Sequence, residues 1–167
     1  MSHLSLTTDE GLNAALAKFN SMLYRVAFTR MQNRADAEDI VQEVWLRYLR
    51  SAPAFEDDEH RKAWLLKVCI NCSNSLLSSS WFKRTSALDE SLPDDTQDPA
   101  EGFSDVYAVV QKLPPKYRTV IHLFYYEDLS VKQIAEVTGQ GESSVKTQLH
   151  RARTMLRERL GGEYDDL

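Results

Sequence analysis

Long hydrophobic runs are absent from this sequence. No stretch reaches the about 18 consecutive apolar residues that a membrane-spanning helix requires, so no membrane insertion is expected. The first residues, MSHLSLTTDEG, lack the basic segment followed by an apolar one that marks a signal peptide. Cysteine is scarce: two residues without a secretion signal fit a reducing cytoplasm. Period-two alternation and hairpin turn signals are missing, which speaks against any sheet. Nucleophile–base groupings, paired catalytic carboxylates and phosphate-binding glycine loops are missing as well, so the sequence offers no enzyme site and no cofactor site. An excess of positive charge is also lacking. The net charge of −5 argues against a protein that coats DNA non-specifically.

What is present is helix-forming and well patterned. The 167 residues suffice for one ordinary domain or two small ones, and 43% hydrophobic residues can fill their cores. Leu12, Ala15, Leu16, Phe19, Met22 and Leu23 form one helical stripe, with Thr7 and Glu10 spaced as a capping box. A second helix is predicted over 36–50. After Pro53 and a cluster of acids, a third is predicted over 60–78, with Leu65, Val68, Cys69, Cys72 and Leu76 inward. Charge then separates along the chain. Residues 87–105 carry seven Asp/Glu and no Lys/Arg, whereas residues 143–160 carry five Lys/Arg and one Glu. Different parts therefore face different partners. Pro93, Pro99 and the acids mark a linker over 86–102, between helical domains at 1–85 and 103–167. The expected fold is all-α: two small helical domains, an acidic linker, and a helix-turn-helix in the second domain.

The second helix contains DIVQEVWLR (39–47). Ala37, Ile40, Val41, Val44, Trp45, Tyr48 and Leu49 recur at three- and four-residue steps, as a buried face should. Leu46 falls on the opposite side, among Asp39, Gln42, Glu43 and Arg50. A single exposed leucine is common and can mean nothing; an apolar centre within a charged rim is also how protein interfaces concentrate binding energy.

Past the linker, Phe103, Val106, Val109, Val110 and Leu113 make a short helix stopped by Pro114-Pro115. Tyr117, Val120, Ile121 and Phe124 make the next, with His122 on an ordinary core helix. The segment LSVKQIAEVTGQGESSVKTQLHRAR (129–153) reads as helix, turn, helix. Ser130 with Gln133 forms a capping box, and Ile134, Ala135 and Val137 supply the buried side. Gly139 fits the left-handed residue of a tight turn. Val145, Leu149, Ala152, Leu156 and Leu160 form the inner face of the last helix. Its outer face presents Ser144, Lys146, Thr147, His150 and Arg151, donors that reach base edges and phosphates when such a helix enters the major groove. A solvated basic face on a helical hairpin would carry the same pattern. His150 has no companion ligands, so it is a surface contact residue rather than a metal ligand.

Both halves resemble one family. DAEDIVQEVWLRYLR followed by AWLLKVCIN is similar to region 2 of a bacterial extracytoplasmic-function (ECF) sigma factor. LPPKYRTVIHLFYYEDLSVKQIAEVTGQGESSVKTQLHRAR is similar to its region 4. Order, spacing and linker match over nearly the whole chain. The resemblance implies a protein that binds core RNA polymerase and directs it to promoter DNA. Region 2 would read and open the −10 element, and region 4 would read the −35 element. By position, Asp39, Gln42, Glu43, Leu46, Arg47 and Arg50 fall in the helix that docks on the polymerase clamp. Phe55, Lys67, Val68 and Asn71 fall where the −10 strand is engaged. Ser143, Ser144, Lys146, Thr147, His150 and Arg151 fall on the −35 recognition helix. The resemblance further implies an inhibitory anti-sigma partner, a linker that threads the polymerase, and a bacterial, cytoplasmic location on the nucleoid when active.

The physics of the third helix agrees with strand capture. Trp64, Lys67, Val68, Asn71 and Ser75 share about a third of the circumference at roughly 100° per residue. A cation, an amide and apolar surface there can hold an unstacked base, and Phe55 can add a stacking or packing surface. Trp64 itself suits core packing. Some positions depart from the family. Gln140 stands where an apolar residue is usual, Gly141 where a small hydroxyl cap is usual, and Ser143 where a glycine is usual. CSNSLLSSSWFKR, after Asn71, is serine-rich and lacks the acid and early basic residues common there. These changes bear on promoter preference more than on fold. Cys69 and Cys72 form C-x-x-C, but structural zinc needs four ligands and no second pair is present; they fit the inner stripe as small buried hydrophobes. Two other functions share the helix-turn-helix. A polymerase-independent dimeric regulator would need a dimerisation helix and leaves helix 36–50 unexplained. A non-DNA adaptor makes the basic face incidental.

Overall fold

A computed structural model describes residues 9–51, 54–87 and 105–161. The chain divides into two compact units, Met1–Pro93 and Asp94–Leu167. Among the described residues every regular element is helical.

The N-terminal unit is a bundle of three helices: α1 (Asp9–Met31), α2 (Arg34–Ser51) and α3 (Asp58–Ala87). α1 ends where Gln32 takes a positive φ of 53°. Asn33 then caps α2, its Oδ1 accepting from Asp36 N at 2.9 Å. Asp57 caps α3 in the same way through His60 N at 2.8 Å. Leu23, Ala27, Val44, Tyr48, Leu65, Leu66 and Cys69 are fully buried where the three helices meet. α3 is longer than the predicted 60–78, so residues 86 and 87 of the expected linker are helical. The remaining linker positions, 88–102, lie outside the described residues, as do Thr7 of the expected capping box and Phe103.

The C-terminal unit holds α4 (Asp105–Val110), α5 (Pro115–Ile121), α6 (Val131–Thr138) and α7 (Glu142–Leu160). Pro115 opens α5 at a position where its missing N–H costs nothing. α5 then widens into a π-helical turn, His122–Tyr126. His122 therefore does not sit on an ordinary α-helix. The wider turn brings its Nε2 within 2.7 Å of Glu127 Oε2, and both side chains are buried. α7 is the central helix, packed by α4, α5 and α6. Its inner face is Val145, Leu149, Ala152 and Leu156 as predicted, while Leu160 is only half-buried.

Candidate functional site

On α2 the apolar stripe from Ala37 to Tyr48 is buried, and Leu46 is 42% exposed, as its place among charges requires. Leu49 corrects the sequence reading: it is 44% exposed rather than inward. The reason is helical geometry. At about 100° per residue Leu49 lies roughly 40° outside the buried arc, and it shares a face with Leu46 three residues earlier. The patch thus has two apolar residues, not one. Asp39, Gln42, Arg47 and Arg50 around it are exposed, and Glu43 is half-buried. Glu43 Oε2 accepts from Arg47 Nε at 2.9 Å, the favourable acid-first i,i+4 order. That hydrogen bond raises the Arg47 pKa further and presets the guanidinium. Asp39, Glu43 and Arg47 also edge an open groove of about 300 Å³, bounded across it by Cys72 and Leu76 of α3.

On α3, Lys67 and Asn71 are exposed and Val68 is half-buried. Phe55, in the preceding loop, is half-buried inside an aromatic cluster. Its ring stacks on Tyr48 (6.1 Å, 19°) and meets Trp64 edge-on at 6.0 Å. Arg61 lies over its face at 5.2 Å from the centroid. Trp64 packs against Tyr48 as well, which fits its expected anchoring role. The cluster holds the 55–57 loop against α2 and α3, so Phe55 is as much a packing residue as a contact candidate.

The tie between α1 and α3 leaves no mark in the sequence. Buried Arg30 donates from Nε to Ser73 Oγ at 3.0 Å and from its terminal nitrogen to Asn74. Burial lowers its pKa. No sequence signal announces a partner more than forty positions away. Cys69 and Cys72 are free, buried thiols. Burial pushes the Cys69 pKa up to about 12. At pH 8 roughly one part in ten thousand is thiolate, the nucleophilic form. Cys69 should therefore resist iodoacetamide in the folded protein and react after denaturation. Rapid native labelling of Cys69, mapped by mass spectrometry, would overturn this. Among the described residues no group of three or more His, Cys, Asp or Glu is placed to hold a metal ion.

In the C-terminal unit the turn is as the residues dictate. Ser130 Oγ accepts from Gln133 N at 3.1 Å, and Gln133 Oε1 accepts from Ser130 N at 2.8 Å. Gly139 has φ 73°, a conformation any β-carbon would strain. Gly141 is the N-cap of α7 and offers no side-chain bond. Ser143, Ser144, Lys146, Thr147, His150 and Arg151 all project to solvent from the first turns of α7. Arg153 points elsewhere: it donates to Tyr125 Oη at 2.8 Å and lies against the Phe124 and Tyr125 rings.

A 19-residue helix with an outward polar and basic face, set behind a capped turn, is the arrangement of a helix-turn-helix DNA-binding protein. The same chain carries a three-helix unit with a mixed charged and apolar face. Residues 16–82 match the family model for Sigma-70 region 2, and residues 103–156 match that for Sigma-70, region 4. RNA polymerase sigma factor SigV of Bacillus subtilis (strain 168) is 31% identical over 160 residues, covering 94% of this chain and 95% of that protein. ECF RNA polymerase sigma factor SigW of the same organism is 27% identical, covering 85% of this chain and 84% of its own. The fold is also that of the sigma factor RpoE solved with the anti-sigma factor NepR from Bartonella quintana. The TM-score is 0.76 at 21% identity, over 90% of this chain and 97% of that one. The chain belongs to the extracytoplasmic-function sigma factors of RNA polymerase. It is thus a promoter-specific initiation factor whose partners are core polymerase and promoter DNA. Among the described residues no helix is long and apolar enough to cross a membrane.

Proposed function

We propose that this sigma factor works by delivery rather than catalysis, with a division of labour along the chain. A docking domain spans 1–85, an acidic linker 86–102, whose first two residues continue α3, and a −35-reading domain 103–167. The face of α2 carrying Asp39, Gln42, Glu43, Leu46, Arg47 and Arg50, with Leu49 added, docks on core polymerase. Phe55, Lys67, Val68 and Asn71 hold the opened −10 strand. Ser143, Ser144, Lys146, Thr147, His150 and Arg151 read the −35 duplex. The observation that carries this is the two exposed leucines inside a charged rim on α2, on a chain whose α7 presents free donors. The net charge of −5 leaves duplex binding weak until the polymerase supplies most of the phosphate contacts. The linker's acids suit an electropositive nucleic-acid channel. An anti-sigma factor, the partner named in the RpoE structure, would hold this protein inactive in the bacterial cytoplasm, and release would place it on the nucleoid.

Run-off transcription with core polymerase on a promoter library is the test. Promoter-specific initiation only when the protein is added supports the proposal, and its absence across the library counts against it. Asn71→Ala separates the −10 role from docking. The residue is exposed, so stability and core affinity should hold while promoter opening falls about tenfold or more. Equal loss of opening and core binding would remove Asn71 from the strand site. Phe55→Ala should impair opening too, with an added loss of stability because three aromatic neighbours lose a contact.

A further inference from the structure

The side-chain amide of Gln148 is tied back to the turn that precedes α7. Its Nε2 donates to Gln140 Oε1 at 2.7 Å. Gln140 Nε2 in turn donates to Thr138 Oγ1 at 3.0 Å, and that hydroxyl donates to Ile134 O at 2.7 Å. The three bonds form a one-way chain from α7 through the turn to α6. Gln148 Oε1 is buried and has no hydrogen-bond partner among the described residues. The amide is therefore held from one side only, by Gln140. On α7, Gln148 lies one turn after Ser144 and three residues before Arg151, both exposed reading candidates.

We infer that Gln140 is a positioning residue for promoter specificity: it holds Gln148 back against the turn, so that a potential base-reading amide stays out of the −35 groove. Two physical facts support this. A glutamine side chain on a recognition helix pairs bidentately with adenine through N6 and N7, so its placement changes what the helix reads. And a half-buried amide that loses its partner is driven toward an environment that satisfies it. With an apolar residue at position 140, Gln148 has no acceptor for its N–H and none of its polar atoms is paired where it stands. It swings to the side that Ser144 and Arg151 occupy, where DNA or water satisfies it. The glycine cap at Gly141 leaves α7 without a side-chain bond at its start, so the Gln148–Gln140–Thr138 chain is also the side-chain tie across this turn.

The inference rests on α7 reading the −35 element, and the experiment separates the two. Holoenzyme assembled with each variant selects from a promoter library randomised at the −35 element, and base preference is read position by position. Gln140→Leu, similar in volume, is expected to change preference by about tenfold at one or two adjacent positions, toward adenine on one strand. Gln140→Glu keeps the acceptor for Gln148 and should keep the wild-type preference. Gln140→Leu combined with Gln148→Ala should lose the new preference, because the released amide is gone. Unchanged preference in Gln140→Leu, or a new preference that persists without Gln148, overturns the inference. A uniform loss of binding across all sequences does so too, since it marks a merely structural residue. Arg151→Ala is the control for the frame: if it leaves the −35 preference untouched, the assignment of α7 fails and this inference falls with it. If Arg151→Ala alters preference while Gln140→Leu does not, only the role of Gln140 fails.

Discussion

Leu46→Asp is expected to weaken binding to core polymerase by about thirty-fold while leaving the fold unchanged. Leu46 is 42% exposed and contributes little to the core of the N-terminal unit, so a polar replacement should alter stability by less than about 0.5 kcal/mol. At an interface the same change buries an unpaired carboxylate where an apolar contact was made. Central anchor residues lose on the order of 2 kcal/mol when removed, which is about thirty-fold in affinity. Leu49→Asp should act in the same direction, because the two leucines share a face. Fluorescence anisotropy of labelled protein titrated with core polymerase measures the affinity, and thermal denaturation measures the fold. Wild-type affinity when Leu46→Asp and Leu49→Asp are combined would show that the patch is ordinary surface.

Glu127→Ala is expected to destabilise the C-terminal unit by about 1–3 kcal/mol. His122 Nε2 lies 2.7 Å from Glu127 Oε2, with side chains 1% and 3% exposed. The imidazole is also stacked on Tyr126 (5.5 Å, 27°) and met edge-on by Tyr107, so it is held in place among these rings. Removing Glu127 takes from the buried imidazole the carboxylate oxygen 2.7 Å away, and losing a buried hydrogen-bond partner costs about 1–3 kcal/mol. Replacing both by apolar residues, His122→Phe with Glu127→Leu, should recover much of the loss. The chain provides its own assignment, because Trp45, Trp64 and Trp81 all belong to the N-terminal unit. Urea denaturation followed by circular dichroism should show part of the helix lost early in Glu127→Ala, while tryptophan fluorescence keeps its midpoint. Coincident wild-type transitions by both probes would mean that the pair contributes no stability.

The two substitutions differ in how far the sequence foretold them. Leu46 was visible because helical periodicity involves only neighbours three and four residues apart, and its place among acids and arginines is local. Leu49 was misplaced: it fits the stripe by its four-residue spacing from Trp45 but falls outside the arc that the neighbouring helices cover. The Ser130–Gln133 box and the left-handed Gly139 were legible for the same reason as Leu46, since capping and φ preferences act within one turn. The His122–Glu127 pair was not, because an i,i+5 contact requires the π-helical turn and nothing in HLFYYE marks that insertion. Gln140 was noticed as a departure from the family, but its bond to Gln148 spans the turn and depends on the angle between α6 and α7.

By itself, then, the order of residues determined the all-helical class, the positions of most helices, the caps of the helix-turn-helix and the outward donors of α7. These are short-range consequences of periodicity, side-chain chemistry and backbone preference. Only the tertiary structure decided which polar groups meet: Arg30 with Ser73 and Asn74, His122 with Glu127, Gln148 with Gln140. It also decided that Phe55 is packed among Tyr48, His60 and Trp64 rather than free in a loop. Those choices depend on how helices cross in space. Desolvated polar groups and large rings take whichever partner the crossing brings within reach, and the spacing along the chain does not encode that.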